Sequence, residues 1–160
     1  MRSRDPAVHD WLAQYLRRHQ VNVSVLTIVE RVRGYALLWQ GATENRRAAI
    51  EAARVAYLQQ LGRVQVLDAG TAVVAGELMA MLPHPPTPPR RAHQLVESRQ
   101  DRLARWRFDI LIAATALVMR MRLIHNNAED FETIRGAIER SPERFPGLGP
   151  LELLRCTLVV

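Results

Sequence analysis

Asp109 to Met119 reads DILIAATALVM. Wound as a helix, this run is apolar almost all round and has no face to leave in water. Such a helix must be enclosed, and the rest of the chain has to supply the elements that enclose it. The chain has 160 residues, enough for one domain with a sizeable core.

The neighbouring sequence supplies strands and helices in alternation. Asp5 to Arg18 is expected to be helical: Asp5 can cap, Pro6 suits the first turn, and Val8, Trp11, Leu12, Tyr15 and Leu16 recur at helical spacing. Val21 to Leu26 is short and β-branched and reads as a buried strand. Thr27 then caps a helix, with Glu30 closing a capping box, and this helix runs to about Gln40. A helix over Glu44 to Gln60 follows, then the alternating strand Arg63 to Leu67 and a helix over Asp68 to Met81. PHPPTPP, in the stretch 83–90, breaks the chain into a surface loop, because proline removes donors and fixes an extended path. Arg90 to Arg107 reads as a basic helix ahead of the buried one. Leu123 to His125 forms a third strand and Asn127 to Arg140 a further helix. Residues 141–160 form a C-terminal extension, irregular at first and closing as a strand from Leu151. Strands alternating with helices predict a single α/β domain over 1–160 with a mainly parallel sheet, and such sheets bind ligands outside the carboxyl ends of their strands.

Composition narrows the setting. The formal net charge is +6 and every basic residue besides histidine is arginine. Arginine's planar fork suits phosphate and carboxylate, so a polyanion such as RNA is a plausible partner, although a GC-rich genome gives the same bias. No apolar run is long enough to span a bilayer, and the start, MRSRDPAVHDW, has no apolar signal core. The single cysteine, Cys156, excludes an internal disulfide and a cysteine metal cluster. Together these features predict a cytoplasmic protein with no membrane partner.

Three carboxylates follow a strand or open a helix in this reading: Glu30, Asp109 and Asp130. Brought together at one sheet edge, they would repel one another unless a cation sat among them, and Mg²⁺ or Mn²⁺ is the natural counter-ion for oxygen ligands. Each acid also has a structural explanation. Glu30 can close the capping box or pair with Arg33, Asp109 can favour the positive end of a helix, and Asp130 stands at cap-like spacing from Asn127.

DILIAATAL followed by LIHNNAEDF resembles the carboxyl half of a PIN-domain ribonuclease, and most of all the VapC-type toxins of toxin–antitoxin pairs. The residues that carry the resemblance are Asp109, Ile112-Ala113-Ala114, Leu123-Ile124, Asn127 and Asp130-Phe131. Upstream, SVLTIVERVRGY is similar to the strand-then-helix segment bearing the family's second acid, which falls on Glu30; DPAVHDWL and Val64 to Asp68 follow the same order. The resemblance implies a PIN-like three-layer fold with a central, mainly parallel sheet flanked by helices. It implies a Mg²⁺- or Mn²⁺-dependent endoribonuclease hydrolysing phosphodiester bonds in RNA and neutralised by an antitoxin. Glu30, Asp109 and Asp130 would hold the metal, supported by Asn127, Ser24 and Thr27.

Two features depart from the family pattern. The family's opening strand, which carries its first catalytic aspartate, has no counterpart in this sequence, and His125 stands where a hydroxyl residue is more usual. The alternative is therefore a non-catalytic or degraded PIN-domain relative that binds RNA or an antitoxin without cleaving. Arg102, Arg105 and Arg107, with His125, are the candidate RNA contacts; a solvated helix face with internal pairs such as Asp101 with Arg105 is the plainer account of those arginines. Met79, Met81, Met119 and Met121 read as core or interface filler, and the apolar helices leave room for a homodimer.

Overall fold

The computed structural model describes residues 11, 13–86 and 98–155. Elements expected over 1–10, 87–97 and 156–160 lie outside the described residues, including the first half of the basic helix and the end of the last strand. The fold is mixed α/β with parallel strands. Its elements are β1 (Asn22–Ser24), α1 (Val25–Gln40), α2 (Glu44–Gln59), β2 (Arg63–Gln65), α3 (Ala69–Met81), α4 (Arg99–Val118), β3 (Leu123–His125), α5 (Ala128–Arg140), a 3₁₀ turn (Pro142–Arg144) and β4 (Leu153–Arg155). Among the described residues the strands form two parallel pairs, β1 with β2 and β3 with β4. The chain divides into two compact units, one over 20–66 and one holding 67 onward together with the residues before 20.

In the 20–66 unit, β1 and β2 pair in register from Asn22 opposite Arg63 to Ser24 opposite Gln65. The strand ends at Ser24, and the helix begins at Val25 rather than after Thr27. Ser24 and Thr27 are both competent caps, but the extended backbone at Ser24 lets its hydroxyl accept from the Leu26 N–H at 3.2 Å. Thr27 and Glu30 are therefore interior helix residues and form no capping box. A short turn through Gly41 to Thr43 folds α2 back against α1.

The other unit is organised around α4. Ser98 caps this helix, its Oγ accepting from the Asp101 N–H at 3.1 Å. From that start the helix runs 20 residues without a break. The expected enclosure of DILIAATALVM is present: Ile110, Ala113, Ala114, Thr115, Ala116 and Leu117 are all buried. Contrary to the sequence reading, Asp109 does not open this helix. It lies ten residues past the first helical residue, Arg99, because Leu103 and Trp106 continue the apolar spacing of Ile110 backward through the arginines. The positive end of the helix is at Ser98, so a dipole no longer accounts for Asp109.

Around α4 pack Thr71, Ala75 and Leu78 of α3, and Phe131, Ile134 and Ile138 of α5, at the 3–4-residue spacing of amphipathic helices. Asp68 caps α3, its Oδ1 accepting from the Thr71 N–H at 2.7 Å, a bond that holds the carboxyl below its usual range. The C-terminal part contributes Phe145 and Leu151 to the same core, and β4 pairs with β3 from Leu123 opposite Leu153 to His125 opposite Arg155.

α4 ends in a Schellman turn: the Arg120 N–H reaches Leu117 O at 3.2 Å and the Met121 N–H reaches Ala116 O at 2.8 Å. This places Arg120 at φ 51°, in the left-handed region. A side chain there costs about 1 kcal/mol against glycine. The Arg120 guanidinium returns only an exposed bond of 3.4 Å to Gly147 O. Arg120→Gly is expected to raise the stability by about 0.5–1 kcal/mol, read from the urea midpoint.

Candidate functional site

The end of β3 meets the start of α5 at His125, Asn126 and Asn127, and α4 passes beside them. Asn127 stands at the N-cap position of α5, yet its side chain makes no cap bond. The amide is used elsewhere. Nδ2 donates to Asp109 Oδ2 at 3.2 Å and to Asp130 Oδ2 at 2.5 Å. One amide NH₂ thus sits between two carboxylates, one from the middle of α4 and one from the first turn of α5. Only the nitrogen end of the amide can face two acceptors, so the carboxylates fix its orientation. Asp109 is buried, and Asn127 and Asp130 are half-buried.

Of the three carboxylates expected to converge, Glu30, Asp109 and Asp130, the last two are linked through the Asn127 amide. Asn127 is itself a correction: it bridges the acids instead of capping the helix. Ser24, Thr27 and Glu30 belong to the 20–66 unit, where Ser24 caps α1 and Thr27 and Glu30 are exposed on it. Among the described residues, no group of three or more His, Cys, Asp or Glu side chains is placed to hold a metal ion. Two carboxylates and one amide are what this unit offers at this point, and the Asn127 N–H donor lies between the carboxylates.

His125 turns inward and is only 6% exposed, its ring packed against Phe131 with centroids 5.2 Å apart. Nδ1 is buried without a hydrogen-bond partner. Loss of hydration pushes the imidazole below the ordinary histidine range, against smaller opposing effects of the Asn127 backbone and the Glu132 charge. The native state therefore favours neutral His125. As pH falls below about 6.5, the unfolded chain takes up this proton before the folded one does, so stability is lost. His125→Phe is expected to flatten this acid-side decline in urea-unfolding measurements between about pH 7.5 and 5.

Arg102, Arg105 and Arg107 lie on the first half of α4, Arg102 half-buried and the other two exposed. Sequence reasoning missed a second arginine-rich feature, between α1 and α2. Arg47 lies over the Trp39 ring at 4.3 Å, and Arg31 lies 5.7 Å from both the Tyr35 and Tyr57 rings. The signal was the i, i+4, i+8 spacing of Arg31, Tyr35 and Trp39, which places them along one edge of a helix.

Among the described residues, no helix is long and apolar enough to cross a membrane. No family model matches this chain, and no curated protein is recognisably similar to it.

Proposed function

We propose that this chain is a VapC-like protein of the PIN-domain class, built on that class's three-layer plan, which binds RNA and a cognate antitoxin without cleaving RNA. The observation that supports this reading is the Asn127 amide between Asp109 and Asp130. In the enzymatic alternative, Glu30, Asp109 and Asp130 would hold Mg²⁺ or Mn²⁺, and the ion would polarise phosphate and activate water. Here a neutral donor of this chain already satisfies two of those acids. The repulsion that would otherwise call for a cation is relieved from within the fold.

The RNA side of the reading rests on charge. The net charge of +6 is carried by arginines alone, whose flat forks pair with phosphate oxygens. Binding of this kind releases counterions and weakens as salt rises. The test is the affinity for labelled single-stranded RNA in EDTA and in Mg²⁺. Binding in EDTA that falls with salt and gains nothing from Mg²⁺ is expected. Binding that appears only with Mg²⁺ would contradict a metal-independent partner site.

A further inference from the structure

The seam between α1 and α2 is absorbed by none of the roles above. Arg31, Tyr35 and Trp39 span about 12 Å of α1 at 1.5 Å per residue. Across from them, α2 contributes Arg47, Arg54 and Tyr57 in antiparallel order. The result is an alternation of cations and rings. Arg47 covers Trp39 and also gives its Nε–H to the Trp39 carbonyl at 3.4 Å. Arg31 lies beside both Tyr35 and Tyr57, 5.7 Å from each ring, and the two rings are themselves 6.2 Å apart. Arg54 pairs with Glu51 on the same helix.

Stacks of this kind can simply hold two helices together, but three observations go beyond that role. First, the seam is open. A cleft of about 270 Å³ lies within it, lined by Val32, Tyr35, Trp39, Gln40, Ile50 and Arg54 among others. Trp39 remains 43% exposed at its mouth. Second, the cleft's chemistry is mixed, with rings and apolar residues beside the Gln40 amide and the Arg54 guanidinium, the latter neutralising the Glu51 carboxylate that also lines it. Third, residues 20–66 carry six arginines against three glutamates and no aspartate, a net charge of +3. An exposed Trp39, with a half-buried Tyr35 one turn away and arginines beside both, suits bases that stack while phosphates are neutralised nearby, the pattern of sites for single-stranded nucleic acid. An acidic peptide would use the charge but leave the ring faces idle.

We propose that the α1–α2 seam is a binding site for single-stranded RNA, with bases stacking on Trp39 and Tyr35 and phosphates paired by Arg31 and Arg47. The site rests on the reading that RNA is a partner of this chain. It places the main contacts on the 20–66 unit.

The test uses the whole chain and a short fluorescein-labelled oligoadenylate, followed by fluorescence anisotropy across a salt series. Trp39→Leu keeps an apolar side chain in the seam and is expected to weaken binding roughly tenfold or more, whereas Trp39→Phe, which keeps a ring, retains most of the affinity. Arg47→Gln is expected to reduce the slope of log affinity against log salt by roughly 0.7. Unlabelled oligoadenylate should displace the probe far better than polyglutamate, which carries charge without bases. If wild type binds but Trp39→Leu and Arg47→Gln leave affinity and slope unchanged, the seam is not the site, although RNA binding itself stands. Displacement by polyglutamate as effective as by oligoadenylate also overturns a stacking site. No binding of the oligonucleotide by wild type overturns both the seam and the RNA-binding reading.

Discussion

Trp106→Ala is expected to remove about 3–5 kcal/mol of stability, the cost of emptying a large aromatic site in a core. Trp106 is 1% exposed and lies in the cluster shared by α3, α4 and α5. Its indole N–H also donates to Leu82 O at 2.9 Å, tying α4 to the carbonyl at the end of α3. Truncation therefore leaves a cavity and removes that carbonyl's indole donor. Small domains hold only about 5–15 kcal/mol in total, so urea unfolding should begin at much lower denaturant. Trp106→Phe separates the two contributions. It keeps most of the packing and loses only the donor, for an expected additional cost of about 1 kcal/mol beyond its smaller volume. A loss below about 1 kcal/mol for Trp106→Ala would mean that α4 is not held as described.

Asn127→Asp is expected to cost roughly 3 kcal/mol at neutral pH in EDTA. Two hydrogen bonds to carboxylate acceptors are lost, and a third negative charge is placed between Asp109 and Asp130. The penalty should shrink as the pH is lowered toward about 4, where carboxylates take up protons and the repulsion falls. It should also shrink when Mg²⁺ is added, because the substitution replaces the donor with an oxygen ligand. Wild type, with the amide in place, should show no such gain from Mg²⁺. An Asn127→Asp chain as stable as wild type in EDTA at neutral pH would show that the amide does not hold the two acids together.

Much of this arrangement is legible in the sequence, and the rest has physical reasons for being hidden. A run with apolar residues on every side leaves one solution, so the enclosure of α4 follows from DILIAATALVM. The start of that helix is concealed because arginines between Arg99 and Arg107 mask the phase kept by Leu103 and Trp106. The start of α1 is concealed because two hydroxyl residues, Ser24 and Thr27, can each cap, and the strand's actual end decides between them. Asp109 and Asp130 can be named from their motif, yet the direction of the Asn127 amide cannot. The same side chain serves a helix cap or a neighbouring carboxylate, and only the approach of α4 selects the second. The α1–α2 seam is harder still. Its spacing on α1 is visible, but Arg47, Arg54 and Tyr57 join it only through the fold of the hairpin.

The claim that RNA is bound but not cleaved is tested most directly by incubating the purified chain with labelled single-stranded RNA and Mg²⁺. Retention on protein and strand integrity are then read from the same sample. The expected result is RNA that is retained and intact, for wild type and for Asp109→Asn alike. Mg²⁺-dependent fragments made by wild type and absent with Asp109→Asn would contradict it and restore the carboxylates to a catalytic role.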